Sequence, residues 1–163
     1  MTNTPPVSGL ESHLGYWLRY VSNHVSHSFS LKLAARNVTV AEWFVLRDLF
    51  EHEQTSPNEL ASRLGMTRGA ISKLIDRLEA KSLVTKETLN GDRRYRKLVM
   101  TAVGRGMVPV LTCIADENEG SFFGHLTPDE REQLTNTLRN VVKRQGLEMY
   151  MKPFPTVTEK QSN

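Results

Sequence analysis

The stretch "PNELASRLGMTRGAISKLIDRL", Pro57 to Leu78, decides how the rest of the chain is read. It reads as two short helices around a glycine turn. Ser56 followed by Pro57 is a helix start, an N-cap and then a residue tolerated at the first helical position. Gly65 ends that helix in a left-handed conformation that would cost a residue with a Cβ about 1 kcal/mol. Thr67 caps a second helix, from about Arg68 to Lys81. Ala61 is small where the second helix crosses the first, and Leu60, Leu64, Ile71 and Leu74 fill the wedge between them. The pattern is a helix-turn-helix, whose second helix is placed to lie in a DNA major groove. Its outward residues are Arg68, Gly69, Ser72, Lys73, Asp76 and Arg77. Arg68, Ser72 and Lys73 are candidates for base edges, Arg pairing bidentately with guanine. Thr67 can donate to a phosphate at the helix N-terminus. Gly69 and Ala70 leave room for a close approach. The same helix pair also serves protein adaptors, so a winged-helix interaction module without DNA is the alternative.

The next segment, "SLVTKETLNGDRRYRKLVM", holds two β-prone runs around Asn90-Gly91 and reads as a hairpin. It carries Asp92, Arg93, Arg94, Arg96 and Lys97. Asp92 can orient one of these cations, and Arg suits a narrow minor groove of high negative potential. The others suit phosphates. Leu98 and Met100 anchor the return strand in the core. Charge follows the same segment. Residues 57–101 hold ten Lys or Arg against five Asp or Glu, a net +5, while the rest of the chain sums to −2. That asymmetry, more than the net charge of +3, points to a polyanion partner.

The flanks read as helices. Leu10, Leu14, Trp17, Leu18, Val21 and Val25 have helical spacing, in a run reaching about Ala35. A helix of about 25 residues spans roughly 37 Å, too long for one small lobe to cover, so part of its stripe is expected to pack on another subunit. "TVAE" is a capping box, Thr39 with Glu42, opening a helix with Trp43, Val45, Leu46, Leu49 and Phe50 on its apolar face. Thr101 opens another long helix, with Met107, Val110, Leu111 and Ile114 on one face and a kink expected at Pro109. Thr127, Pro128 and Glu130 start the last helix, which carries Leu134, Leu138, Val141 and Val142 and ends near Gly146. The "GLEMYMKPF" stretch is more apolar than a solvated tail.

The fold class is therefore mainly α: a winged helix-turn-helix lobe with a small β-hairpin wing, joined to a helical dimerisation lobe. Residues 1–9 form an arm, 10–36 and 102–145 the dimerisation helices, 39–101 the DNA-binding lobe, and 146–163 a tail. Composition is that of a soluble globular chain, 39% hydrophobic and 24% charged. No apolar run approaches a membrane span, and the N-terminus lacks signal-peptide character. One cysteine, Cys113, excludes an intrachain disulfide and fits a reducing, cytoplasmic setting. Its neighbours read as buried. No nucleophile–base set or phosphate loop is present, so an enzyme is not expected, nor a cofactor. His24 and His27 share a helix face but lack further ligands, and no metal is expected. Tyr16, Tyr20, His24, Trp43 and Arg47 are candidates for an aromatic pocket with polar handles, suited to a small aromatic or carboxylate effector. The competing reading is packing.

On "ELASRLGMTRGAISKLIDRLEAKSLV", "DRRYRKLVMTAVGR" and "LTPDEREQL", the sequence resembles the MarR family of winged-helix transcriptional regulators, over residues 10 to 145. Asp92, Arg94, Thr101 and Gly104 match in type and spacing. The resemblance implies a homodimer with interdigitated terminal helices, each subunit presenting one winged helix to half of a palindromic double-stranded operator. It implies that Arg94 enters the minor groove with Asp92 as buttress, and that an effector is read in a crevice between the two lobes. Ser82 stands where the family usually has Gly, a strained C-cap. Thr88 and Asn90-Gly91 replace the common wing prolines. The peroxide-sensing cysteine near the N-terminus is absent.

Overall fold

A computed structural model of the chain describes residues 7–88 and 96–147. Six α-helices are described: α1 (Leu14–Ala34), α2 (Val40–Glu51), α3 (Pro57–Leu64), α4 (Arg68–Ala80), α5 (Ala102–Phe123) and α6 (Pro128–Arg144). Between α4 and α5 run β1 (Val84–Thr88) and β2 (Arg96–Met100), antiparallel, with Val84 opposite Met100 and Thr88 opposite Arg96. A bridge between Thr55 and Leu98 adds the α2–α3 loop to the sheet. The Asn90-Gly91 turn lies outside the described residues, as does all of the tail beyond Leu147 and the first six residues of the arm.

Most helix starts are local chemistry. The Thr39 hydroxyl accepts from the Glu42 N–H, and the Glu42 carboxylate accepts from the Thr39 N–H at 2.8 Å. Thr127 and Glu130 form the same box. A third box joins Ser56 to Glu59 at the start of α3. Gly65 is left-handed (φ 60°) and so is Ser82 (φ 58°), the strained cap expected there. Three expectations change. The N-terminal run is not one helix: a single 3-10 turn at Leu10–Ser12 is separated from α1 by an extended His13. Apolar spacing continues through that break, because a 3-10 turn and an α turn place side chains three or four apart alike. On α5, Val108 and Leu111 are buried, while Val110 is exposed; the helix runs on through Pro109. Cys113 is exposed rather than buried, pointing away from the face that α5 turns to the core.

The core lies where the helix-turn-helix, the hairpin, α2 and the start of α5 meet. Leu46, Leu49, Leu60, Ile71, Leu78, Leu98 and Leu111 are fully buried there. The flanking helices are different. α6 buries none of its residues, and Leu134, Leu138, Val141 and Val142 stay exposed. α1 exposes Leu14, Trp17, Leu18 and Val21, and its contact with α5 includes the buried Asn118, whose Nδ2 donates to the Val25 carbonyl at 3.2 Å. No helix of the described residues is long and apolar enough to cross a membrane.

The capping carboxylates give an acid-sensitivity test. Hydrogen bonds from Ser56, backbone first and then hydroxyl, hold Glu59 below the ordinary carboxylate pKa. Thr127 does the same for Glu130. A depressed folded pKa contributes stability that is present above the unfolded value and lost as pH falls through the folded one. The unfolding midpoint of the wild type is therefore expected to fall more between pH 6 and pH 3 than that of a Glu59→Gln/Glu130→Gln variant. Parallel acid limbs in a urea titration would refute this role for the boxes.

Candidate nucleic-acid interface

The turn between α3 and α4 sets the geometry of the exposed helix. Left-handed Gly65 lets the Met66 N–H reach back to the Ala61 carbonyl at 3.0 Å, which ends α3 within one residue. Two residues later the Thr67 hydroxyl accepts from the Ala70 N–H at 3.2 Å and opens α4. With Ile71, Leu74, Ile75 and Leu78 buried, the opposite face is fixed by the 3.6-residue period. Thr67, Arg68, Gly69, Ser72, Lys73, Asp76 and Arg77 are all exposed. A Cβ placed on Gly69 would meet nothing within 4 Å, so packing within the protomer does not require glycine there. An open cleft of about 450 Å³ lies beside this face, lined by Asn58, Ser62, Gly65, Thr67 and Arg68 among others.

The hairpin is bound to α4. Lys86 of β1 places its Nζ 2.9 Å from Asp76 Oδ1 and 2.5 Å from Glu79 Oε2. The hydrogen bond to Glu79, then the one to Asp76, raises the lysine above its ordinary pKa. At the far end of α4, Lys81 Nζ donates to both Glu42 oxygens (2.9 and 2.8 Å) and to the Asn37 carbonyl (2.7 Å). Arg63 grips Asp48 through Nε and Nη2, and also donates to Thr55 Oγ1 at 2.7 Å. On β2, Lys97 is half-buried and donates to Gln54 Oε1 at 2.7 Å. Arg96 stands opposite Thr88 in the ladder. Asp92, Arg93 and Arg94 lie outside the described residues.

These pairs correct the charge count. Of the ten cations between residues 57 and 101, Arg63, Lys81 and Lys86 are each held by carboxylates. Sequence reasoning missed Lys81 and Lys86. Only for Lys86 was there a local signal: on a two-residue period it shares a face with buried Val84.

The residues considered for an effector divide. Tyr16, Tyr20 and His24 form a column along α1, with ring centroids 6.2 Å apart for the tyrosines and 4.5 Å for Tyr20 and His24. Trp43 belongs to the core, 7% exposed. Arg47 pairs with Glu51 one turn along α2, at 2.9 Å. Among the described residues no group of three or more His, Cys, Asp or Glu is placed to hold a metal ion.

Comparison with known proteins gives a consistent picture. The MarR family sequence profile matches residues 38–95. The chain is 29% identical over 132 residues to the HTH-type transcriptional regulator TtmR of Methylorubrum extorquens, an alignment covering 81% of this chain and 67% of that protein. Among solved structures, a Staphylococcus aureus MepR–DNA complex is similar with a TM-score of 0.71 and 27% identity, covering 81% of this chain and 98% of the other. BpsR of Bordetella bronchiseptica, whose DNA binding is regulated by 6-hydroxynicotinic acid, gives a TM-score of 0.72 at 24% identity, covering 84% and 99%.

Proposed function

We propose that the chain is a member of the MarR family, whose profile matches residues 38–95, and that it acts as a homodimeric, sequence-specific repressor released from a palindromic operator by a small-molecule effector. DNA-binding transcriptional regulation, not catalysis, is the function the family carries. The observation that supports the proposal most is the exposed face of α4. The N-cap Thr67 and the outward positions Arg68, Gly69, Ser72, Lys73, Asp76 and Arg77 are polar, charged or glycine, on a helix whose other face is the lobe's core. In this reading residues 39–101 are the DNA-binding lobe. Thr67, Arg68, Ser72, Lys73 and Arg77 act from α4, and Asp92, Arg93, Arg94, Arg96 and Lys97 from the wing. The dimer is supported by the apolar faces that α1 and α6 leave uncovered in the protomer, residues 10–36 and 102–145 serving as dimerisation helices. A second subunit across those faces would set two α4 helices against two half-sites.

For the effector, the support comes from similar proteins and from α1. MepR is crystallised on DNA, while BpsR responds to a small aromatic carboxylic acid. The Tyr16–Tyr20–His24 column offers ring faces for such a molecule; Trp43, which is core, and Arg47, which is paired with Glu51, are not part of this reading. Release of a bound duplex by small phenols and aromatic acids tests this part.

The DNA-binding part is tested on a duplex selected from a random-sequence pool by the wild-type chain. Arg68→Ala and Arg94→Ala are each expected to weaken binding by about 1–3 kcal/mol at fixed salt, with sequence preference relaxed. Lys97→Ala, a phosphate contact, is expected to weaken all duplexes alike and flatten the salt slope by about one unit. Unchanged affinity for both Arg variants would overturn the assigned surface. Absence of salt-sensitive binding in the wild type would favour an adaptor.

A further inference from the structure

The lysine at position 86 is in an unusual place. The register puts it opposite Leu98, which is fully buried, and on the same face of β1 as buried Val84. A lysine on an inward face needs partners, since an unpaired ammonium there loses its hydration. It finds two, Asp76 and Glu79, on adjacent turns of α4. Asp76 follows Lys73 by three residues and Ser72 by four, so it belongs to the same exposed face, and its side chain is 65% exposed. A carboxylate on a surface that meets phosphates repels them. It is tolerable there when a cation is held against it.

We infer that Lys86 is a positioning residue for DNA binding: it masks the Asp76 and Glu79 carboxylates on the reading helix and ties β1, and so the wing, to that helix. Its charge is directed at protein carboxylates and not at DNA. Helix and wing then meet the duplex in a fixed relation, without a separate ordering step on binding. The inference rests on the DNA-binding reading above and adds a residue that neither charge counting nor the exposed face of α4 identifies.

The experiment uses the full chain and the duplex selected from a random-sequence pool by the wild type. Lys86→Met keeps the aliphatic stem and uncovers both acids; affinity at fixed salt is expected to fall about tenfold. Lys86→Arg is expected to bind like the wild type. The deciding variant is Lys86→Met combined with Asp76→Asn and Glu79→Gln, which removes the need for a mask. It is expected to recover to within about threefold of the wild type, with an unchanged salt slope. If the triple variant stays as weak as Lys86→Met, with its salt slope lower by about one unit, Lys86 is a direct phosphate contact and the inference is overturned. Wild-type affinity in Lys86→Met overturns it as well. Should Lys86→Met fail to fold, the triple variant, with neutral groups of the same shape as its acids, still decides. A wild type that selects no duplex and shows no salt-sensitive binding refutes the DNA-binding reading itself, a failure visible before any variant is made.

Discussion

Gly104→Ala is expected to destabilise the chain by about 3 kcal/mol, the upper part of the range for overpacking. At roughly 2–4 °C per kcal/mol for a chain of this size, the melting midpoint falls by about 6–12 °C at fixed protein concentration. The reason is a close approach that leaves no room for a methyl group. A Cβ on Gly104 would lie 2.0 Å from the Leu83 carbonyl oxygen and 2.9 Å from Met100 Cγ. Met100 is a flexible side chain that can turn away. The Leu83 carbonyl is backbone, and it is already held: it accepts from the Thr101 N–H at 3.1 Å and from the Thr101 hydroxyl at 3.1 Å. The single proton of that hydroxyl is shared with Ser82 O, the nearer acceptor at 2.7 Å, in a residue whose φ is +58°. So α5, β1 and the end of α4 are knotted within a few residues, and relief requires α5 to move as a body. Gly106→Ala is the control. Nothing lies within 4 Å of its Cβ position, and Ala for Gly inside a helix contributes up to about 1 kcal/mol. Melting of Gly104→Ala together with the wild type would show that the contact is not a constraint. Where the variant still folds, weaker DNA binding is expected alongside, since α5 joins the proposed dimer helices to the proposed DNA-binding lobe.

The glycine itself stood out in the sequence, as part of a spacing shared with a family. Its reason did not, because the atom it makes room for is a backbone oxygen 21 residues earlier. That contrast runs through the molecule. What was legible was local. Thr39, Thr67, Thr101 and Thr127 cap helices through hydrogen bonds three residues long, and a three-residue relation can be read from a string. Gly65 announced the turn because few other residues take its backbone conformation at low cost. The period of Leu60, Leu64, Ile71 and Leu74 announced the wedge, and all four are buried.

What was not legible depended on which way a face turns. Trp43 has the same helical spacing whether it lines a pocket or a core, and only the approach of other elements makes it core. Cys113 sits among apolar neighbours in sequence, but on α5 the buried positions are Gly104, Val108, Leu111 and Asn118, which leaves it on the outer side. The bridge from Thr55 to Leu98 joins a polar loop to the hairpin across 43 residues, and nothing in "EHEQTS" signals it. For the candidate site, the exposed half of α4 followed directly from the buried half. The ion pairs that withdraw Arg63, Lys81 and Lys86 did not, since their partners lie 15, 39 and 7 to 10 residues away.

The Lys81 pair carries the second large effect. Glu42 is fully buried, and its carboxylate has two tasks: it accepts from the Thr39 N–H at the start of α2 and it receives Lys81 from the end of α4. Lys81 in turn donates to the carbonyl of Asn37, a non-glycine residue at φ +57° that turns the chain from α1 into α2. One ammonium thus joins three helix ends. Lys81→Met keeps the stem's packing but leaves a buried carboxylate without its cation, at a cost of about 3–5 kcal/mol. Glu42→Gln alone keeps an oxygen for the Thr39 cap and is expected to cost less. Combined with Lys81→Met it is expected to recover most of the loss, because the unpaired charge is gone and an uncharged pair of similar volume remains. The check is a double-mutant cycle from urea unfolding midpoints at neutral pH. Additive effects, with no recovery in the double variant, would mean that Lys81 acts through its Asn37 contact and not through Glu42. Recovery would identify the pair as the link between α1, which carries the proposed dimer surface, and α4. DNA affinity in the recovered double variant then reports whether the link needs its charge or only its shape: a fold restored with binding still weakened would mean that the ion pair sets the angle of α4, which an uncharged pair of the same volume does not reproduce.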